Sequence, residues 1–104
     1  MSHDERMRAS LRDAFGETVK VLRKKQGIAQ ERLALLSGID RAYMGMLERG
    51  EHTPSIELIH KVICGLNIAP VDFWREFYRT FERVRKQRKL PLCPKGEPSG
   101  MKRD

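Results

Sequence analysis

Side chains able to do covalent, redox or metal chemistry are few in this sequence, and they are scattered. Cys64 and Cys93 stand 29 residues apart, with no CxxC and no histidine at ligand spacing. Their number and spacing exclude a disulfide framework or a zinc finger and fit a reducing cytoplasm. His52 and His60 have no neighbour that would make either a nucleophile's base or a metal ligand. Neither GxGxxG nor GxxxxGKS/T occurs. No catalytic residue, metal or cofactor is therefore expected. What remains is the chemistry of charge: 21 Lys/Arg against 14 Asp/Glu, a formal +7 over 104 residues. Such a balance suits a polyanion, either nucleic acid or an anionic lipid surface. The charge is unevenly placed. Residues 1–82 carry 13 basic and 12 acidic side chains (+1), and residues 83–104 carry 8 and 2 (+6).

The elements that must position any binding surface read as helices throughout. Leu11, Phe15, Val19 and Leu22 recur at three and four residues, and Gly27 after Lys24-Lys25-Gln26 stops that helix. A short helix over about Gln30–Ser37 buries Leu33, Ala34 and Leu36 and is broken by Gly38. Asp40 caps a third, to about Arg49, with Tyr43, Met44 and Leu47 turned inward. Ser55, or Thr53 with Pro54, opens a fourth lined by Ile56, Ile59, Val62, Ile63 and Leu66, and Cys64 is read as a small buried hydrophobe among them. Pro70 opens a fifth carrying Phe73, Trp74, Phe77, Tyr78, Phe81 and Val84. No segment alternates with period two. The fold class is all-α, one domain over 10–82 behind an N-terminal extension (1–9). It is followed by the basic end of helix five (83–89) and a flexible tail (90–104) rich in Pro and Gly. No run approaches the roughly 18 apolar residues of a spanning helix, and the polar N-terminus shows no secretory signal.

One unit, residues 30–49, has the layout of a helix-turn-helix, whose second helix enters the DNA major groove while the first crosses the backbone. Ala34 falls where the two helices cross most closely. Four residues on, Gly38 can supply the positive φ that a three-to-four-residue turn needs. Leu33, Ile39, Met44 and Leu47 form the small shared core that sets the crossing angle.

Gln30-Glu31-Arg32-Leu33-Ala34, Ser37-Gly38-Ile39 and Leu47-Glu48-Arg49-Gly50 with Pro54-Ser55 closely resemble the Cro/CI-type (XRE) helix-turn-helix family. The resemblance covers about Phe15 to Trp74. Asp40-Arg41-Ala42-Tyr43 also looks like the small controller proteins of restriction–modification systems. The resemblance implies a lambda-repressor-like five-helix domain that regulates transcription as a homodimer on a partly palindromic operator. By the same resemblance Gln30 touches a phosphate and braces the recognition helix. Arg41, Ala42, Gly45 and Met46 occupy the outward base-reading positions, Tyr43 reaches backbone or base, and Arg49 completes the DNA-contacting set. Arg41 is the strongest candidate, because its fork can bond guanine O6 and N7 together. Arg23 and Glu48 match a family ion pair between helices one and three.

Departures from the family pattern sharpen these expectations. Ala29 stands where a Ser or Thr cap is usual, and Arg32 where Glu would complete a capping box. Gly45 and Met46 stand where polar or basic readers are common, so either the groove is approached very closely at Gly45 or readout rests on Arg41. Five aromatics between positions 73 and 81 exceed what one helix face can bury, so part of the stripe (Trp74, Phe77, Tyr78, Phe81) is expected at a symmetric dimer interface. The rival functions are the antitoxin of a toxin–antitoxin pair and a protein-interaction module of the same fold. Membrane binding is not expected.

Overall fold

The computed structural model describes residues 1–93, and over these it contains five helices and no strand. They are α1 (His3–Lys25), α2 (Gln30–Ser37), α3 (Arg41–Glu48), α4 (Ile56–Leu66) and α5 (Pro70–Gln87). Each boundary has a local cause. The Ser2 hydroxyl accepts from Glu5 N–H at 3.2 Å, the Asp40 carboxylate from Ala42 and Tyr43 N–H at 3.0 and 3.3 Å, and the Ser55 hydroxyl from Leu58 N–H at 3.1 Å. α2 has no such cap at Ala29, and packing must hold its first turn. Asn67 closes α4 in the left-handed conformation (φ 53°), and Pro70 is the first residue of α5.

At Gly38 the backbone is left-handed (φ 67°), Gly38 N–H bonds Leu35 O at 3.2 Å, and Ile39 N–H bonds Ala34 O at 2.9 Å. This paired closure ends α2 and swings the chain into α3. Nothing lies within 4 Å of where a Cβ at Gly38 would stand, so conformation alone demands glycine there. Gly38→Ala is expected to lower unfolding free energy by about 1–2 kcal/mol, the cost of an L-residue in that region. Urea denaturation tests this; an unchanged midpoint would refute it.

The core gathers Phe15 and Val19 of α1, Leu33 and Ala34 of α2, Met44 and Leu47 of α3, Val62 and Leu66 of α4, and Phe73 of α5, all buried. α5 lies along α1, α2 packs on α4, and α3 is held between α1 and α2. Two glycines permit the closest approaches. Gly16 of α1 faces the end of α3: a Cβ there would lie 2.7 Å from Glu48 O and also against Leu47 O. Gly65 of α4 faces Ser37 of α2, with Ser37 Cα 3.1 Å from its would-be Cβ.

Several expectations need correction. Residues 3–9, read as an extension, are the first turns of α1: Met7 packs against the core, and Arg6 Nη2 donates to Arg88 O at 2.7 Å. Leu90, assigned to a flexible tail, is buried. It follows the left-handed Lys89 (φ 56°), and its N–H bonds Arg85 O at 2.8 Å. Leu92 and Cys93 then line a hollow with Met7, Leu11, Tyr78 and Phe81. The rest of that expected tail, 94–104, lies outside the described residues. Leu36 and Ile56 are exposed rather than buried, because α2 turns that side to solvent and Ile56 belongs to a first turn beyond the edge of the core. Cys64 is also exposed, 3.5 Å from His60 Nε2 one turn earlier.

Candidate nucleic-acid interface

The surface of α3 that faces solvent is built on a buried polar anchor. Arg23 sits at the end of α1 and Glu48 at the end of α3, and Gly16 lets these helices come close enough to join them. Arg23 Nε donates to Glu48 Oε2 at 2.8 Å and Nη2 to Oε1 at 3.0 Å, while Nη1 caps Ile28 O at 2.9 Å. Gln30 Nε2 donates to Glu48 Oε1 at 3.0 Å. The two charged side chains are only 10% and 4% exposed, so neither could be left alone there. Hydrogen bonding to Glu48 holds the Arg23 guanidinium above its ordinary range against the opposing effect of burial. One carboxylate thus ties α1, α2 and α3 together and orients Gln30.

In front of that anchor, Gln30, Arg41, Ala42, Gly45, Met46 and Arg49 line one shallow concavity. Six of the seven residues expected to touch DNA are therefore brought together on one side of α3. Arg41 and Ala42 are exposed, Met46 is half-buried, and Gly45 is covered by the side chains of Gln30 and Arg49. Arg41 Nη1 stands 3.5 Å from Glu31, in a pair exposed on both sides. Tyr43, the seventh, is half-buried, with its ring stacked on His52 at 5.2 Å and 25°. The stack makes His52 a support for α3.

The aromatic stripe divides. Phe77 and Phe81 are buried at 5% and 2% exposure and belong to the core, contrary to their expected place at a subunit interface. Trp74 and Tyr78 reach the surface, where with Leu11, Ile59 and Pro54 they line an open apolar groove between α1 and α5. The basic run 83–89 is mostly engaged within the chain: Arg83 pairs with Glu17, Arg85 with Glu82 at 2.7 Å, and Arg88 with Asp13 at 2.7 Å. Arg83 and Arg88 fasten this end of the chain to α1, while Arg85 pairs within α5. Among the described residues no helix is long and apolar enough to cross a membrane.

Gly16, Glu31, Glu51 and His52 also shape this surface, with little in the sequence to mark them. A glycine inside a periodic helix was the one available signal for Gly16. The other three act through neighbours that only the tertiary structure supplies.

A helix-turn-helix family model matches residues 19–73, more than half of the chain. The chain belongs to this helix-turn-helix family. The match contains the whole of α2 to α4 and the anchor residues Arg23 and Glu48. Among curated helix-turn-helix relatives, the control protein C.BamHI of Bacillus amyloliquefaciens is 33% identical over 67 residues, which is 64% of this chain and 83% of that protein. Of solved structures, the restriction–modification controller C.AhdI from Aeromonas hydrophila superposes with TM-score 0.57 at 41% identity, covering 64% of this chain and 94% of that one. The controller C.Esp1396I, solved as a tetramer in complex with its natural 35 base-pair operator, superposes with TM-score 0.67 at 26% identity, covering 69% and 95%. The chain spans 47% and 29% of the length of two curated transcriptional regulators that it also matches.

Proposed function

We propose that this protein is a sequence-specific DNA-binding transcriptional regulator that inserts α3 into the major groove and acts as a homodimer. The observation that carries the reading is the joint placement of Gln30, Arg41, Ala42, Gly45, Met46 and Arg49 on one solvent-facing concavity, backed by a buried ion pair that fixes its angle. A recognition helix contacts only a few base pairs, so useful specificity calls for two half-sites about one helical turn apart. Trp74 and Tyr78 offer the apolar surface for such pairing, as their exposure and the adjoining groove support. The solved C.Esp1396I–operator complex supports both DNA as partner and self-association. Action is by binding, in a cytoplasmic setting. The antitoxin and interaction-module readings have no observation in their favour, since the relatives are regulators and controller proteins.

Selection of bound duplexes from random DNA tests the proposal. A partly palindromic consensus is the expected result. Arg41→Ala should then weaken binding to it by about tenfold or more, the worth of a bidentate guanine contact. A steep salt dependence with no consensus would overturn the reading.

A further inference from the structure

The Arg49 side chain is 61% exposed, yet its guanidinium is turned back toward Gly45 of α3. Its Nε donates to Glu51 Oε2 at 2.6 Å and its Nη2 to Glu51 Oε1 at 3.4 Å. Nη1 has no acceptor among the described residues and lies 3.1 Å from where a Cβ at Gly45 would be, with Gln30 Oε1 3.3 Å from the same point. Gly50 (φ 73°) turns the chain so that Glu51 N–H reaches back to Met46 O at 3.0 Å, which fixes the root of the carboxylate. The guanidinium is therefore gripped along its Nε side, and its other edge borders the concavity shared with Arg41, Ala42 and Met46. Arg41 is held more loosely, by one contact of 3.5 Å to Glu31.

An arginine in this place could meet a phosphate or a base edge, and Glu51 discriminates between the two. Phosphate is attracted by net charge, which a carboxylate on the same guanidinium largely cancels while repelling the phosphate itself. A guanine edge is neutral and is recognised by the direction of two N–H groups toward O6 and N7. A fork clamped on one side keeps its free N–H groups pointing one way. We propose that Arg49 is a second guanine-reading residue beside Arg41. In this arrangement Gly45 is the seat on which its fork lies, and Glu51 is a positioning residue that aims it at a base edge and away from phosphate. The assignment rests on α3 being the groove-entering helix. It also accounts for a glycine in the middle of a recognition helix, where a methyl group would press on Nη1.

The test compares the wild type with Arg49→Lys, Glu51→Gln and Gly45→Ala on a selected operator and on a random duplex, across a salt series, after circular dichroism confirms that each variant is folded. Arg49→Lys keeps the charge and loses the fork, so the salt slope should hold while the operator-to-random affinity ratio falls about tenfold. Gly45→Ala should do the same. Glu51→Gln should raise random-duplex affinity and steepen its salt slope by about 0.9, as expected for one added phosphate contact, without an equal gain on operator. Asp72→Asn is the control: it removes an acid of similar exposure, paired with Arg75 on α5, and should leave the ratio unchanged. If Arg49→Lys leaves the ratio intact and Arg49→Ala flattens the slope by about 0.9 on both duplexes, Arg49 is a phosphate anchor and the proposal fails. It also fails if Glu51→Gln strengthens both duplexes equally. A wild-type protein with no selectable consensus would overturn the α3 reading itself, and this assignment with it.

Discussion

Glu48→Ala is expected to destabilise the domain by about 3–5 kcal/mol, the cost of leaving a buried charge without its partner. The Arg23 guanidinium would keep only the carbonyl of Ile28, since both contacts at 2.8 and 3.0 Å go to Glu48. Small domains hold about 5–15 kcal/mol in all, so a large share of the folded population is at stake. Arg23→Ala should cost a similar amount, because Glu48 is the less exposed of the two. The double change Arg23→Met with Glu48→Leu should recover most of the loss, since neither charge then needs solvating. Equilibrium urea unfolding of the four proteins reads the effect. Single-variant losses below about 1 kcal/mol, the range of solvent-exposed pairs, would show that the pair does not bear on stability. Where Glu48→Ala remains folded, operator affinity should still drop, because Gln30 loses the acceptor that orients it.

Gly16→Ala has a sign that decides between two accounts. If Gly16 were an ordinary helical position, alanine would stabilise α1 by about 1 kcal/mol. The structure demands the opposite. A methyl group there would stand 2.7 Å from Glu48 O and 2.9 Å from Glu48 C, against backbone that cannot rotate away. Overpacking of this kind costs about 1–3 kcal/mol. A net loss is expected, together with weaker operator binding, because α3 must shift off α1 and pull Glu48 from Arg23. A rise in the urea midpoint for Gly16→Ala would sink this account. Gly65→Ala, facing Ser37 Cα at 3.1 Å, tests the same idea on the α2–α4 side, without moving the recognition helix directly.

Much of the fold is legible in the order of residues alone. Helix stops at Gly27, Gly38 and Asn67 follow from residues that accept positive φ, and all three adopt it. The starts at Asp40 and Ser55 follow from side chains that accept N–H bonds, and both make them. Cys64, read as buried, carries a signal against that reading: it lies about 100° around α4 from Ile63 and about 160° from Leu66, on the side away from the core. Leu90 carries a signal too, because an apolar residue just past a left-handed closure commonly folds back onto its helix. Phe77 and Phe81 are harder, since an excess of aromatics on one helix does not say which of them the rest of the domain will cover.

What the sequence determines by itself here is local: helix ends, the Ala34–Gly38 turn, and the set of side chains that share one side of α3. These depend on backbone preference and on a periodicity of about 3.6 residues, both of which act over a few positions. The tertiary structure decides what each polar side chain is set against. Charge read along the chain marks 83–89 only as the basic end of helix five, yet Glu17, Glu82 and Asp13 pair with its arginines. The family resemblance puts Arg49 in the DNA-contacting set without saying what it faces, and Glu51 and Gly45 give it a direction. The physical reason is range. A hydrogen-bonded ion pair acts within about 4 Å, and only the folded chain brings residues 75 positions apart, such as Asp13 and Arg88, within that distance.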